Sequence, residues 1–169
     1  MRPSRGRRFR LTSPRVSGNI PSGKDMVTSP RYRILPHTAD GKFQAYGPTL
    51  GEAFGNAALA MVSLMWDWTT IEPLERREIR VEGPDRERLL VRFLGEIVYL
   101  FDHERFLLGR VAELGIDRDP HGGFELRAAV EGQTLRGGHE IYGDVKAVTY
   151  HDLKVEECDG FTVQVVVDM

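Results

Sequence analysis

Two stretches of this chain set chemistry-bearing side chains at the ends of apolar runs. In "YRILPHTADGKFQAYG", residues 32–47, His37 and Asp40 occupy a corner between two short β-prone segments. In "FTVQVVVDM", residues 161–169, a strongly β-prone run leads straight into Asp168 and the last residue, Met169. A run of that composition belongs at or near the centre of a sheet. The Asp168 side chain and the α-carboxylate of Met169 are therefore expected close together at a sheet end. Both are ionised at neutral pH, and like charges so placed repel unless a cation joins them. Asp40, at the end of another strand, offers a third oxygen. Three hard anionic oxygens without a cysteine suit Ca²⁺, Mg²⁺ or Mn²⁺ better than zinc. The bland alternative stands beside this one: Asp168 pairs with a lysine such as Lys146 and Asp40 caps a turn, as solvated carboxylates at strand ends commonly do.

A third polar cluster lies in "DVKAVTYHDLKVEE", residues 144–157, which holds Lys146 and His151. Read as one extended strand, it sends Lys146, Val148 and Tyr150 to one face and His151 to the other. His103, His121 and His139 fall in polar turns and read as solvated loop residues. Glycine-rich phosphate loops are absent, as is a serine in a nucleophile elbow; "GEAFGN" lies within a helical pattern and lacks the P-loop lysine. The single cysteine, Cys158, excludes an internal disulfide and a multi-cysteine zinc site. Its acidic setting, "VEECDG", opposes thiolate formation, so it reads as a turn cysteine.

The elements that must position these groups follow from the hydrophobic pattern. Thr49, followed by Glu52, forms a capping box at the start of "PTLGEAFGNAALAMVSLMWDW", where Leu50, Phe54, Ala57, Ala58, Met61, Leu64 and Met65 recur at helical spacing. Asp85 caps a second helix, "RERLLVRFLGEIVYLFDHER", with Leu89, Leu90, Phe93, Leu94, Ile97, Leu100 and Phe101 on one stripe. "RREIRVEG" alternates as a strand between the helices. "FLLGRVAELGID", "GFELRAAVEGQTL", "DVKAVTYHDLKVEEC" and "FTVQVVVDM" follow as further strand-like runs, separated by turn signals. The pattern predicts an α+β sandwich with both helices on one face of a largely antiparallel sheet.

At 169 residues, 41% hydrophobic and 28% charged, with no apolar run of membrane-spanning length, the chain has the make-up of one soluble domain. The lone cysteine fits a reducing, cytoplasmic setting. Residues 1–33 contain nine Lys or Arg against one acid, a charge of +8, leaving 14 basic and 24 acidic residues, or −10, for the remainder. Residues 1–30 are rich in Arg, Ser, Pro and Gly without apolar periodicity, so they read as a basic arm that does not fold by itself, ahead of a domain spanning residues 31–169. The arm has no uninterrupted apolar stretch of a secretory kind. It could serve as a nucleic-acid-binding arm or a transit peptide, but Met26, just before "VTSPRYRILPHTAD", favours translated sequence upstream of the true start.

Taken together, "HTADGKFQAYGPTLGEAFGNAALAM", "EGPDRERLLVRFLGEIVYLFD", "DVKAVTYHDLKVEE" and the final "VVVDM" resemble the archease family in order and spacing over residues 32–169. The resemblance implies a small metal-binding protein cofactor, not itself an enzyme, that activates the GTP-dependent RNA ligase of tRNA splicing by promoting its guanylylation and repeated turnover. It implies Asp40, Asp168 and the terminal carboxylate of Met169 as ligands of a divalent cation, Ca²⁺ foremost, and Lys146 as a functionally important lysine. His37 and His151 would support the site or the structure around it. The chain departs from the family pattern at Gly41-Lys42, where a more apolar pair is usual, and at Met169, where a β-branched residue is commoner. A body carrying −10 is not expected to bind nucleic acid directly. Two other readings compete: a stand-alone metal-dependent phosphoester hydrolase with His37 or His151 as base, and a chaperone-like modulator of a tRNA methyltransferase.

Overall fold

A computed structural model describes residues 30–169, so the basic arm and the Met26 start lie outside the described residues. The chain runs β1 (Tyr32–Leu35), β2 (Gly41–Gly47), α1 (Leu50–Val62), a 3-10 turn (Trp68–Thr70), β3 (Glu75–Gly83), α2 (Arg86–Glu104), β4 (Phe106–Arg118), β5 (Phe124–Thr134), β6 (Ala147–Val148), β7 (Lys154–Glu157) and β8 (Phe161–Asp168). Strand pairing is antiparallel throughout, and the class is α+β as expected. The strands divide between two sheets. One has the order β1-β2-β8, with β6 and β7 both on the far side of β8; the other has the order β3-β5-β4.

Each helix packs against strands of both sheets. The small residues of α1 explain how. Beyond the expected stripe, Ala53, Gly55, Leu59, Ala60 and Val62 are also buried, so the helix is apolar nearly all round and needs cover on two sides. Its start is fixed by the predicted capping box: the Glu52 amide donates to Thr49 Oγ1, and the Thr49 amide donates to Glu52 Oε2, both at 3.2 Å. On α2 all seven predicted stripe residues are buried, and the Asp85 carboxylate accepts from the Arg88 amide at 2.7 Å.

The "DVKAVTYHDLKVEEC" run does not form one strand. Only Ala147–Val148 and Lys154–Glu157 pair with β8, and between them the chain turns, with Asp152 in a left-handed conformation at φ 51°. The expected alternation of Lys146, Val148 and Tyr150 therefore does not extend past Val148. The Thr149 amide and hydroxyl both still donate to the Val166 carbonyl of β8, at 3.1 and 2.8 Å, and the chain turns away after them.

Candidate metal centre

β2, β8 and β6 end together at one corner of the first sheet. Gly41 is the register partner of Val167, and Asp40 and Asp168 are the next residues in the chain beyond that terminal pair. On the other side of β8, Ala147 pairs with Asp168, and the Lys146 amide donates to the Asp168 carbonyl at 2.8 Å. The register thus brings Asp40, Asp168 and Lys146 to one sheet end, with Met169 next in the chain.

Close backbone approaches hold this end in place. A Cβ on Gly143 would fall 2.0 Å from the Leu64 carbonyl oxygen and 3.2 Å from Met169 Cε. A Cβ on Gly41 would fall 2.7 Å from Leu64 Cδ1 and 2.9 Å from Val167 Cγ2, with the Met169 sulfur at 3.5 Å. Met169 is therefore wedged against the end of α1, and its apolar side chain joins the rim of the core. Tyr142 ties the segment before Lys146 to the same place, its amide donating to the Met65 carbonyl and its hydroxyl to the Ser63 carbonyl, each at 2.9 Å.

The corner that presents Asp40 is strained. Ala39 has φ 67°, a left-handed conformation that costs a residue with a Cβ about 1–2 kcal/mol. His37 is folded back over it, with Nδ1 buried, without a hydrogen-bond partner, and 3.7 Å from Asp40 Oδ2. That separation is too long for a hydrogen bond. An orphaned polar atom beside a carboxylate, at the sheet end that also carries Asp168, fits a cation held at this corner. The donor chemistry fits as well, since both aspartates offer hard oxygens. Among the described residues, no group of three or more His, Cys, Asp or Glu side chains is gathered tightly enough to hold an ion. The predicted set depends instead on a backbone carboxylate as its third member.

His151 lies elsewhere. It is exposed in the turn after Thr149, with Nε2 3.7 Å from the Asp152 carboxylate and not at the corner. Lys146 is exposed, and Cys158 is free and exposed. The outward face of β2 and β8 carries a polar network that the sequence did not reveal. Tyr46 Oη donates to Gln44 Oε1 at 2.9 Å, Gln44 Nε2 to Gln164 Oε1 at 3.0 Å, and Gln164 Nε2 to the Asp152 carbonyl at 2.9 Å. Lys42 Nζ donates to Asp152 Oδ2 at 3.2 Å, and this ammonium holds the Asp152 carboxyl below its ordinary value. The alternation of β2 alone indicated that Lys42, Gln44 and Tyr46 share a face, but nothing local marked Asp152, 110 residues away, as their partner.

The Archease protein family (MTH1598/TM1083) matches residues 32–169. The chain is 40% identical over 141 residues to the protein archease of Pyrobaculum neutrophilum, covering 82% of this chain and 95% of that one. To the protein archease of Methanosarcina acetivorans it is 41% identical over 143 residues, covering 82% and 96%. The solution structure of Methanobacterium thermoautotrophicum protein 1598 superposes with a TM-score of 0.72 at 33% identity, covering 82% of this chain and 99% of that one. Among the described residues, no helix is long and apolar enough to cross a membrane. On this match of sequence, length and fold, the chain belongs to the archease family.

Proposed function

We propose that this protein is a metal-binding cofactor protein in tRNA processing, without a turnover of its own, that activates the GTP-dependent RNA ligase of tRNA splicing. Family membership supports the cofactor role. The observation that supports the metal site is the register of β2 on β8, whose terminal pair Gly41–Val167 is flanked by Asp40 and Asp168. In this reading those two carboxylates and the terminal carboxylate of Met169 hold a divalent cation, Ca²⁺ foremost. Such a cation supplies fixed positive charge where phosphate oxygens need neutralising.

The chain's own residues do the rest. The wedged Met169 side chain and the tight Gly41 and Gly143 approaches hold the backbone at this sheet end. Lys146, exposed and tethered through its amide to the Asp168 carbonyl, would serve as a docking or phosphate-contacting cation. The −10 carried by residues 34–169 repels RNA but is steered toward a basic, phosphate-binding surface on the ligase.

The test is turnover of purified ligase on cleaved RNA, with and without this protein, at low and physiological salt. Multiple turnover only when the protein is present, with activation slowed by salt, is the expected result. Product formed by the protein alone would identify a phosphoester hydrolase instead. Absence of any effect on the ligase, together with suppressed aggregation of a tRNA methyltransferase, would favour the chaperone reading.

A further inference from the structure

Lys42 stands on β2 two residues beyond Asp40, which lies immediately before the strand. Its register partner is Val166, two residues before Asp168. An ammonium so placed is an internal rival for any cation at that corner. If it reaches the Asp40 oxygens it occupies them, and it repels a divalent ion from nearby. Here the Lys42 side chain, 19% exposed, is engaged elsewhere, on the Asp152 carboxylate.

The position of Asp152 is itself tightly specified. Its backbone is left-handed, its carbonyl accepts from Gln164, and Gln164 is held in turn by Gln44 and Tyr46. Thr149, three residues earlier, is fastened twice to the Val166 carbonyl. Gln164 is four residues from Asp168, so this network anchors Asp152 toward the Gln44–Gln164 row and away from the carboxylate end. The other charged groups nearby are His151, 3.7 Å from the Asp152 carboxylate, Lys154, the register partner of Gln164 on β7, His37, with Nδ1 3.7 Å from Asp40 Oδ2, and Lys146, whose amide donates to the Asp168 carbonyl.

We infer that Asp152 is a positioning residue for the cation site: by binding the Lys42 ammonium it keeps that rival off Asp40 and leaves the Asp40–Asp168 end open to a divalent ion. This rests on the proposed metal site, and it concerns two residues with no place among its ligands. Without Asp152, Lys42 is free to swing toward Asp40, and divalent cations bind in competition with it. Without Lys42, Asp152 has nothing left to restrain.

The test is calorimetric titration of Ca²⁺ into the full chain and its variants, with melting of each in EDTA to verify folding. Asp152→Asn is suited to the left-handed turn and is expected to weaken Ca²⁺ binding about fivefold, the scale of one unit charge acting on a divalent ion across solvent at several ångströms. Asp152→Ser removes the same carboxylate through a second side chain, and Asp152→Glu should restore near-normal affinity. In a Lys42→Met background the cost of Asp152→Asn should disappear. A charge acting only for itself would cost the same in both backgrounds, and that result, or no weakening at all, overturns the inference while leaving the metal site standing. Failure of the unaltered protein to bind Ca²⁺, or undiminished binding by Asp40→Ala, overturns both.

Discussion

The outward faces of the two sheets are both polar, yet they treat charge in opposite ways. On the second sheet the charges are matched: Arg76 pairs with Glu113 and Glu131, Arg110 with Glu131, and Arg80 and Arg127 both with Glu125. Arg80 and Arg127 are direct register partners, so Glu125 neutralises what would otherwise be a facing pair of like charges. On the first sheet Asp40 and Asp168 each adjoin the Gly41–Val167 pair, neither is paired with an arginine or lysine side chain among the described residues, and Lys42, two residues from Asp40, is bound to Asp152. A chain that spends Arg–Glu pairs freely on one face leaves these two acids without such partners on the other. In the proposed function that end is where an outside cation is held.

The largest expected effect breaks that end directly. Asp40→Ala and Asp168→Ala should each abolish ligase activation and Ca²⁺ binding. In EDTA each variant should melt no lower than the parent, because removing one of two opposed carboxylates relieves repulsion. Saturating Ca²⁺ should raise the parent's melting temperature, since 100-fold excess over the Kd contributes about 2.7 kcal/mol, and leave the variants unmoved. Appending residues after Met169 converts its carboxylate to an amide and should likewise remove the Ca²⁺-dependent rise. Gly143→Ala tests the support behind the site. Its Cβ meets the Leu64 carbonyl at 2.0 Å, so backbone must move; a stability loss of about 2–4 kcal/mol is expected in denaturant titration, with activation falling alongside it.

How far the sequence foretold all this depends on how local the cause was. The Thr49–Glu52 box and the Asp85 cap act within one helical turn, and both helices start where their caps placed them, although α1 ends at Val62, short of the stripe residues Leu64 and Met65. Asp168 closes the β-prone run that forms β8 and Asp40 closes the corner before β2, and what brings them to one sheet end is the long-range pairing of those two strands. The turn that interrupts the run was not legible, because the partners that hold Asp152, Gln164 and Lys42, come from other strands. The division into two sheets was signalled faintly by Ala53, Gly55 and Ala60, small residues outside the α1 stripe that let strands approach from a second side. The Lys42–Asp152 pair had no local signature, and the wedging of Met169 depends on glycines whose neighbours are distant in sequence.

A smaller effect sharpens the comparison from the matched face. Arg127 first, and Arg80 with it, hold the Glu125 carboxyl below its ordinary value of 4.5. A carboxylate whose folded value is lowered stabilises the protein above its unfolded value and loses that contribution as pH falls through the folded one. Glu125→Gln should therefore lower the melting temperature at pH 7 and low salt. The gap from the parent should narrow as pH falls below 4.5, where the unfolded chain takes up the proton first, and close as pH passes through the lowered folded value. High salt should narrow it as well, because these groups are exposed to solvent and screened. A gap that persists unchanged at pH 3 would mean that Glu125 contributes through packing and not charge.

The smallest expected effect concerns the turns that serve each sheet. The hairpin joining β4 to β5 uses Gly122 at φ 98°, the residue type that takes positive φ without cost, whereas the corner presenting Asp40 keeps Ala39 at φ 67°. Ala39→Gly should relieve about 1 kcal/mol of left-handed strain and return a similar amount as backbone entropy of the unfolded chain, so chemical denaturation should detect less than about 0.5 kcal/mol of change. Ca²⁺ affinity is the informative readout. An alanine restricts the corner to fewer conformations than glycine, and fixing Asp40 before the ion arrives lowers the ordering cost of binding. Calorimetry should therefore show affinity reduced by about two- to threefold at unchanged stability. Equal affinity in the two proteins would mean that Asp40 is held by β2 and its pairing with β8 alone, and that the strain at Ala39 does nothing for the site.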